Sequence, residues 1–163
     1  MTDKIFILDV DGVLTPGNFI YNSREGKVFK EFGSDDWDAL KEIMLFVPTI
    51  FITADKKGYP ITQKRIVDEM KWELHLVSQL PQERWTWMKN KFPNKQIIFF
   101  GDGIYDFCAL ENSFFGITTK DALDHVKDCA NYVTTRSGGD RAVAEACLHV
   151  MGCFNLDWKA KYV

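Results

Sequence analysis

The sequence has no apolar run approaching the roughly 20 residues that a membrane-crossing helix needs, so no spanning segment is expected among its 163 residues. It also has no CxxC pair. Its four cysteines, Cys108, Cys129, Cys147 and Cys153, lack zinc-site spacing and lie in apolar or helical contexts, which predicts reduced thiols in a cytoplasmic protein. An excess of basic charge is missing as well: a formal net charge of -3 offers no broad positive field for a phosphate backbone, and no nucleic-acid partner is expected. The apolar stretch that follows Met1-Thr2-Asp3-Lys4 and ends at Asp9 is too short for a signal-peptide core. Linkers, internal repeats and low-complexity tracts are absent, so residues 1–163 read as a single domain. Hydrophobic residues at 46% and charged residues at 26% are the proportions of a globular chain rather than a disordered one.

Short apolar runs alternate with amphipathic stretches. Ile5-Phe6-Ile7-Leu8, Thr49-Ile50-Phe51-Ile52, Leu74-His75-Leu76-Val77, Ile97-Ile98-Phe99-Phe100, Phe115-Gly116-Ile117-Thr118 and Tyr132-Val133-Thr134 are strand candidates. Continuous rather than alternating apolar character marks strands covered on both faces. Helical spacing predicts helices from Asp36 to Met44, from Ile61 to Met70, from Pro81 to about Phe92 and from Ala142 to Met151. Such alternation argues an α/β layer fold with a mainly parallel sheet. One segment breaks the rhythm: Phe19-Ile20-Tyr21 and Lys27-Val28-Phe29-Lys30-Glu31-Phe32 flank a polar, glycine-containing loop and predict a β-hairpin within about residues 18–33.

Open α/β sheets bind ligands beyond the carboxyl ends of their strands. The first strand ends in Asp9-Val10-Asp11-Gly12, the second in Thr53, and the fourth in Gly101-Asp102-Gly103-Ile104-Tyr105-Asp106. Three strands therefore bring acids and a hydroxyl to one sheet edge. Four carboxylates held close repel one another unless a cation neutralises them. Oxygen ligands without histidine or thiolate favour magnesium, which commonly bridges a carboxylate to a substrate phosphate. An aspartate can then act as a nucleophile in phosphoryl transfer.

Asp9-Val10-Asp11-Gly12-Val13-Leu14-Thr15, Thr53, and Gly101 to Asp106 resemble the first, second and fourth signatures of the haloacid dehalogenase (HAD) superfamily. The resemblance implies a HAD-like Rossmannoid three-layer fold without a large cap domain, and a magnesium-dependent phosphatase working through an aspartyl-phosphate. It implies Asp9 as nucleophile and Asp11 as general acid/base, with Mg2+ held by Asp9, the Asp11 backbone carbonyl and Asp102, supported by Asp106. Thr53 would donate to a phosphoryl oxygen. The cation of the third signature falls on Arg84, with Lys89 as the alternative; Ala54 stands where relatives often have glycine.

The finer resemblance is to the small capless branch that contains the 3-deoxy-octulosonate 8-phosphate and nonulosonate 9-phosphate phosphatases. It is carried by the hairpin after Gly17, the short interval between Thr53 and Arg84, and the segment from Tyr132 to Gly139 followed by Arg141-Ala142-Val143. It implies a small sugar phosphate substrate and a homo-oligomer, a tetramer in that branch, in which a neighbour helps close each site. Two departures, Asp35-Asp36-Trp37-Asp38 and the longer loop from Ala54 to Pro60, are expected where substrate-specifying groups lie. Asp35 and Asp36 also suit the first turn of a helix, one of them as its N-cap; Arg65 could contact substrate or be a surface cation. His75, His125 and His149 read as structural, and the aromatic residues as core or subunit interface. The alternatives are a phosphatase of another small metabolite, a non-catalytic HAD-like binding or assembly subunit, and a signalling receiver domain, against which the third strand's Val77-Ser78-Gln79 ending weighs because it lacks an aspartate.

Overall fold

The computed structural model describes residues 3–162. Six strands form one sheet: β1 (Lys4–Asp9), β4 (Thr49–Thr53), β5 (Leu74–Leu76), β6 (Gln96–Phe100), β7 (Phe115–Thr118) and β8 (Tyr132–Val133). Their spatial order is β5-β4-β1-β6-β7-β8, and every neighbouring pair is parallel. Leaving out the hairpin strands β2 (Ile20–Asn22) and β3 (Gly26–Phe29), the order is third-second-first-fourth-fifth-sixth. That is the dinucleotide-fold order, not the second-first-third order of receiver domains, so the sheet excludes the receiver reading.

The pleat divides the core into two layers. Phe6, Leu8, Phe51, Ile98, Phe100 and Ile117 face α1 (Ser34–Ile43) and α6 (Ala142–Cys153), with Ile66 and Met70 completing that layer. Ile5, Ile7, Ile50, Ile52, Ile97 and Phe99 face α3 (Pro81–Lys91) and α4 (Phe107–Asn112), with Val126 of α5 (Asp124–Lys127). Strands buried on both faces explain the continuous apolar runs. Helix α2 (Tyr59–Gln63) passes into a π-helical segment, Lys64–Glu69, where a single 61–70 α-helix was expected. The short helices α4 and α5 were not foreseen, because too few turns are present for a periodic pattern to declare itself.

The expected hairpin is present but shorter than its apolar pattern. Its two strands pair antiparallel outside the main sheet. No cap domain interrupts the described residues. Among them, no helix is long and apolar enough to cross a membrane.

Asp35 and Asp36 lie in the first turn of α1, but neither caps it: the N-cap position is Gly33, and no side chain bonds there. Asp36 instead accepts a hydrogen bond from the Ala144 N–H (2.8 Å), so it caps the neighbouring α6. Asp35 pairs with Arg141 at 2.5 Å. Helix α6 needs this external help because its own N-cap residue is Arg141, in the left-handed conformation, which offers no acceptor.

Candidate active site

Strand β1 ends at the point where the strand order reverses, with β4 on one side and β6 on the other. Asp9 shares the parity of Ile5 and Ile7, and it emerges at this edge between the two neighbouring strand ends. The turn that follows is held by the Val10 carbonyl, which accepts from Val13, Leu14 and Thr15 N–H groups. Gly12 has φ +96°, and a Cβ there would lie 2.0 Å from Asp102 Oδ2. Glycine is therefore required twice, by the backbone and by the approach of the β6 loop. Gly138 packs on the other side of this turn: a Cβ on it would sit 1.8 Å from the Gly12 carbonyl.

Asp9, Asp102 and Asp106 offer carboxylate oxygens that all lie within 4.8 Å of one another. Asp9 and Asp106 are buried. Burial, reinforced by the Asp106 charge, pushes the Asp9 carboxyl up to about 8 against the opposing pull of Arg84. Burial and the charges of Asp9 and Asp106 likewise push Asp102 up to about 8. Asp106 is raised by burial, partly offset by Arg84 and the Gly103 N–H. Asp102 Oδ1 is buried with no hydrogen-bond partner. Crowded carboxylates with an orphaned oxygen, no histidine and no thiolate fit a hard divalent cation such as magnesium.

Arg84 is buried at the same place. Its guanidinium contacts Asp106, lies 3.8 Å from Asp9 Oδ2, and donates through Nε to the Ser78 carbonyl at 3.3 Å. Burial works against its charge, but Asp9 and Asp106 outweigh that and hold its proton more firmly. Lys89 points elsewhere, into a separate cleft with Trp85, Lys95 and Phe114. Of the two candidate cations, the fold brings Arg84 to the acids.

Asp11 is arranged differently. Its carboxylate turns away from the acid cluster toward Thr53, whose hydroxyl donates to Oδ2 at 3.2 Å, and toward Lys30, whose ammonium lies 2.7 Å from Oδ1. Lys30 was not foreseen at the site; in the sequence it is one of several hairpin lysines. Lys27, Asp55, Lys56 and Lys57 line the adjoining cleft of about 690 Å³ together with Asp9, Asp11, Phe19, Thr53, Arg84 and Tyr105. That volume suits a small metabolite.

Of the two departures expected to shape specificity, only the loop after β4 reaches this cleft. The Asp35–Asp38 segment does not line it; its carboxylates pair with Arg141, the α6 N-terminus and Lys41. Arg65 is likewise a surface cation, paired with Glu69 at 3.1 Å and stacked over Trp37. The four cysteines are free, and only Cys108 and Cys147 are buried. His149 stacks on Tyr132, and His75 bonds Glu73 at 2.5 Å, both in structural surroundings.

No family model matches the chain. The 3-deoxy-D-manno-octulosonate 8-phosphate phosphatase of Haemophilus influenzae is 28% identical over 145 residues, covering 87% of this chain and 79% of that protein. Among solved structures, the fold is similar to that of the Moraxella catarrhalis 3-deoxy-D-manno-octulosonate 8-phosphate phosphatase in complex with magnesium, phosphate and the KDO molecule (TM-score 0.82, 24% identity, 98% of this chain and 93% of the other). It is similar as well to the cobalt-bound H. influenzae phosphatase (TM-score 0.81, 24% identity, 93% and 89%). The expected HAD-like fold is thereby met, and the resemblance drawn from the motifs is shared by these matches.

Proposed function

We propose that this protein is a magnesium-dependent phosphatase that hydrolyses a small sugar phosphate through an aspartyl-phosphate on Asp9. The observation that carries this reading is the convergence of Asp9, Asp102, Asp106 and Arg84 at one strand edge, beside Asp11 and Thr53. Similarity to phosphatases of 3-deoxy-octulosonate 8-phosphate supports the substrate class.

Asp9, the Asp11 backbone carbonyl, Asp102 and Asp106 are the groups that would hold Mg2+. When bound, the ion offsets the negative charge of the carboxylates and of the phosphoryl oxygens. Arg84 and the Thr53 hydroxyl bind phosphoryl oxygens and aim phosphorus at Asp9. A carboxylate oxygen of Asp9 forms a bond to phosphorus as the bond to the sugar oxygen breaks, and Asp11, which enters this step as the protonated acid, gives its proton to that leaving oxygen. Water then attacks phosphorus, Asp11 takes the water's proton, and the bond to Asp9 breaks to release inorganic phosphate.

The hairpin supports assembly into a homo-oligomer, a tetramer in the branch that this chain resembles. Ile20, Tyr21 and Phe29 are each more than 60% exposed on it, a concentration of apolar surface suited to an interface. Light scattering of the purified protein tests that part.

The activity is tested by phosphate release from a panel of sugar phosphates, including 3-deoxy-octulosonate 8-phosphate and nonulosonate 9-phosphates, with and without magnesium. Wild type is expected to turn over at least one of them, and Asp9→Asn none. No release by wild type on any member, or equal release by Asp9→Asn, defeats the reading.

A further inference from the structure

Lys30 follows the second hairpin strand, yet its side chain is fully buried and ends beside Asp11. Burying an ammonium is costly unless it is paired and hydrogen-bonded. Lys30 meets that demand with partners from three segments. Asp11 lies 2.7 Å away through Oδ1 and 3.0 Å through Oδ2, Asp55 lies 3.1 Å away, and Thr62 accepts a hydrogen bond at 2.8 Å. Asp55 also takes Lys27 of the hairpin at 2.7 Å, and Lys27 stacks on Phe19. The chain Asp11–Lys30–Asp55–Lys27 thus alternates in charge from the cleft floor to the hairpin.

The local backbone is built to allow it. A Cβ on Gly58 would fall 2.1 Å from Asp55 Oδ2 and 2.9 Å from Lys30 Cε. The Gly58 N–H also donates to Asp55 Oδ1 at 3.0 Å, fixing that carboxylate. If Lys30 only tied the hairpin to the loop after β4, its pair with Asp55 would suffice. Its contact with both oxygens of Asp11 does something more, because an ammonium held at two atoms fixes how that carboxyl group is turned.

We propose that Lys30 is a positioning residue that holds the Asp11 carboxylate in its working orientation and couples the hairpin to proton transfer at the leaving oxygen. The inference rests on the phosphatase reading above. Orientation errors of about 1 Å cost on the order of a hundredfold in rate. The loss should appear only where the leaving group needs a proton.

The experiment compares kcat/KM of wild type, Lys30→Met and Lys30→Gln on an alkyl phosphate and on 2,4-dinitrophenyl phosphate, both with magnesium. kcat/KM extends only through the first irreversible chemical step, and the 2,4-dinitrophenolate leaving group departs without protonation. For the Lys30 variants, kcat/KM on the alkyl phosphate is expected to fall about a hundredfold, and on the aryl phosphate less than about threefold. Cooperative thermal melting verifies that each variant folds, and Lys30→Gln, which keeps a donor for Thr62, stands in if Lys30→Met does not. A parallel fall on both substrates, or no fall on either, overturns the inference while leaving the phosphatase reading intact. If wild type cleaves neither substrate and none of the sugar phosphates, both fall together.

Discussion

Burial, reinforced by the charge of Asp106, pushes both Asp9 and Asp102 up to about 8, so a metal ion must displace protons to bind. A carboxyl with that pKa is roughly nine-tenths protonated at pH 7, so Asp9 and Asp102 together carry about two protons in the metal-free protein. Magnesium binding at pH 7 should therefore release about two protons, falling to about 0.2 at pH 9. Below pH 8 the apparent affinity should weaken by up to ~100-fold for each unit of pH. Isothermal titration of magnesium into the metal-free protein, in buffers of different ionisation enthalpy, reads the proton count directly; Asp9→Asn should release about one fewer. Both carboxyls lie above their unfolded value near 4, so the metal-free fold binds more protons than the unfolded chain between about pH 4 and 8. It should lose stability as pH rises through that window, and magnesium should restore most at the alkaline end. Proton release below about 0.5 at pH 7, with equal affinity at pH 6.5 and 8.5, would refute the reasoning.

Gly12→Ala should abolish activity and weaken magnesium binding, since its Cβ would overlap Asp102 Oδ2 at 2.0 Å, with backbone strain of about 1–3 kcal/mol that a denaturant titration measures. Arg84→Met should weaken binding of inorganic phosphate in the presence of magnesium by tenfold or more by calorimetry, whereas Lys89→Met should leave it unchanged because Lys89 lies in another cleft. Asp36→Ala should destabilise the fold by about 1–2 kcal/mol in urea through loss of the α6 cap, with Asp36→Asn costing less and kcat/KM unaffected in both.

The acids were legible because chemistry in this architecture gathers at strand ends, and strand ends show in a sequence as an apolar run stopping at a polar residue. Asp9 and Thr53 sit one step beyond such a run, and Asp102 two. The choice between Arg84 and Lys89 was not legible. Both belong to α3, and only the seating of that helix against β6 turns one toward Asp106 and leaves the other outside. The Asp35–Asp38 segment misled for a similar reason. Its acids resemble a helix start and a specificity patch, but Asp36 serves the N-terminus of a helix more than 100 residues away in sequence.

By itself, then, the sequence determined the alternation of strands and helices, the acids at their ends and the presence of a hairpin, because each depends on local pattern and on burial of contiguous residues. The tertiary structure decided which cation faces Asp9, which inserted loop borders the cleft, and that Lys30 stands between Asp11 and Asp55. Those outcomes depend on segments distant in sequence meeting at one place. A charge's partner is set by where the backbone folds back, and no spacing in the sequence encodes that distance.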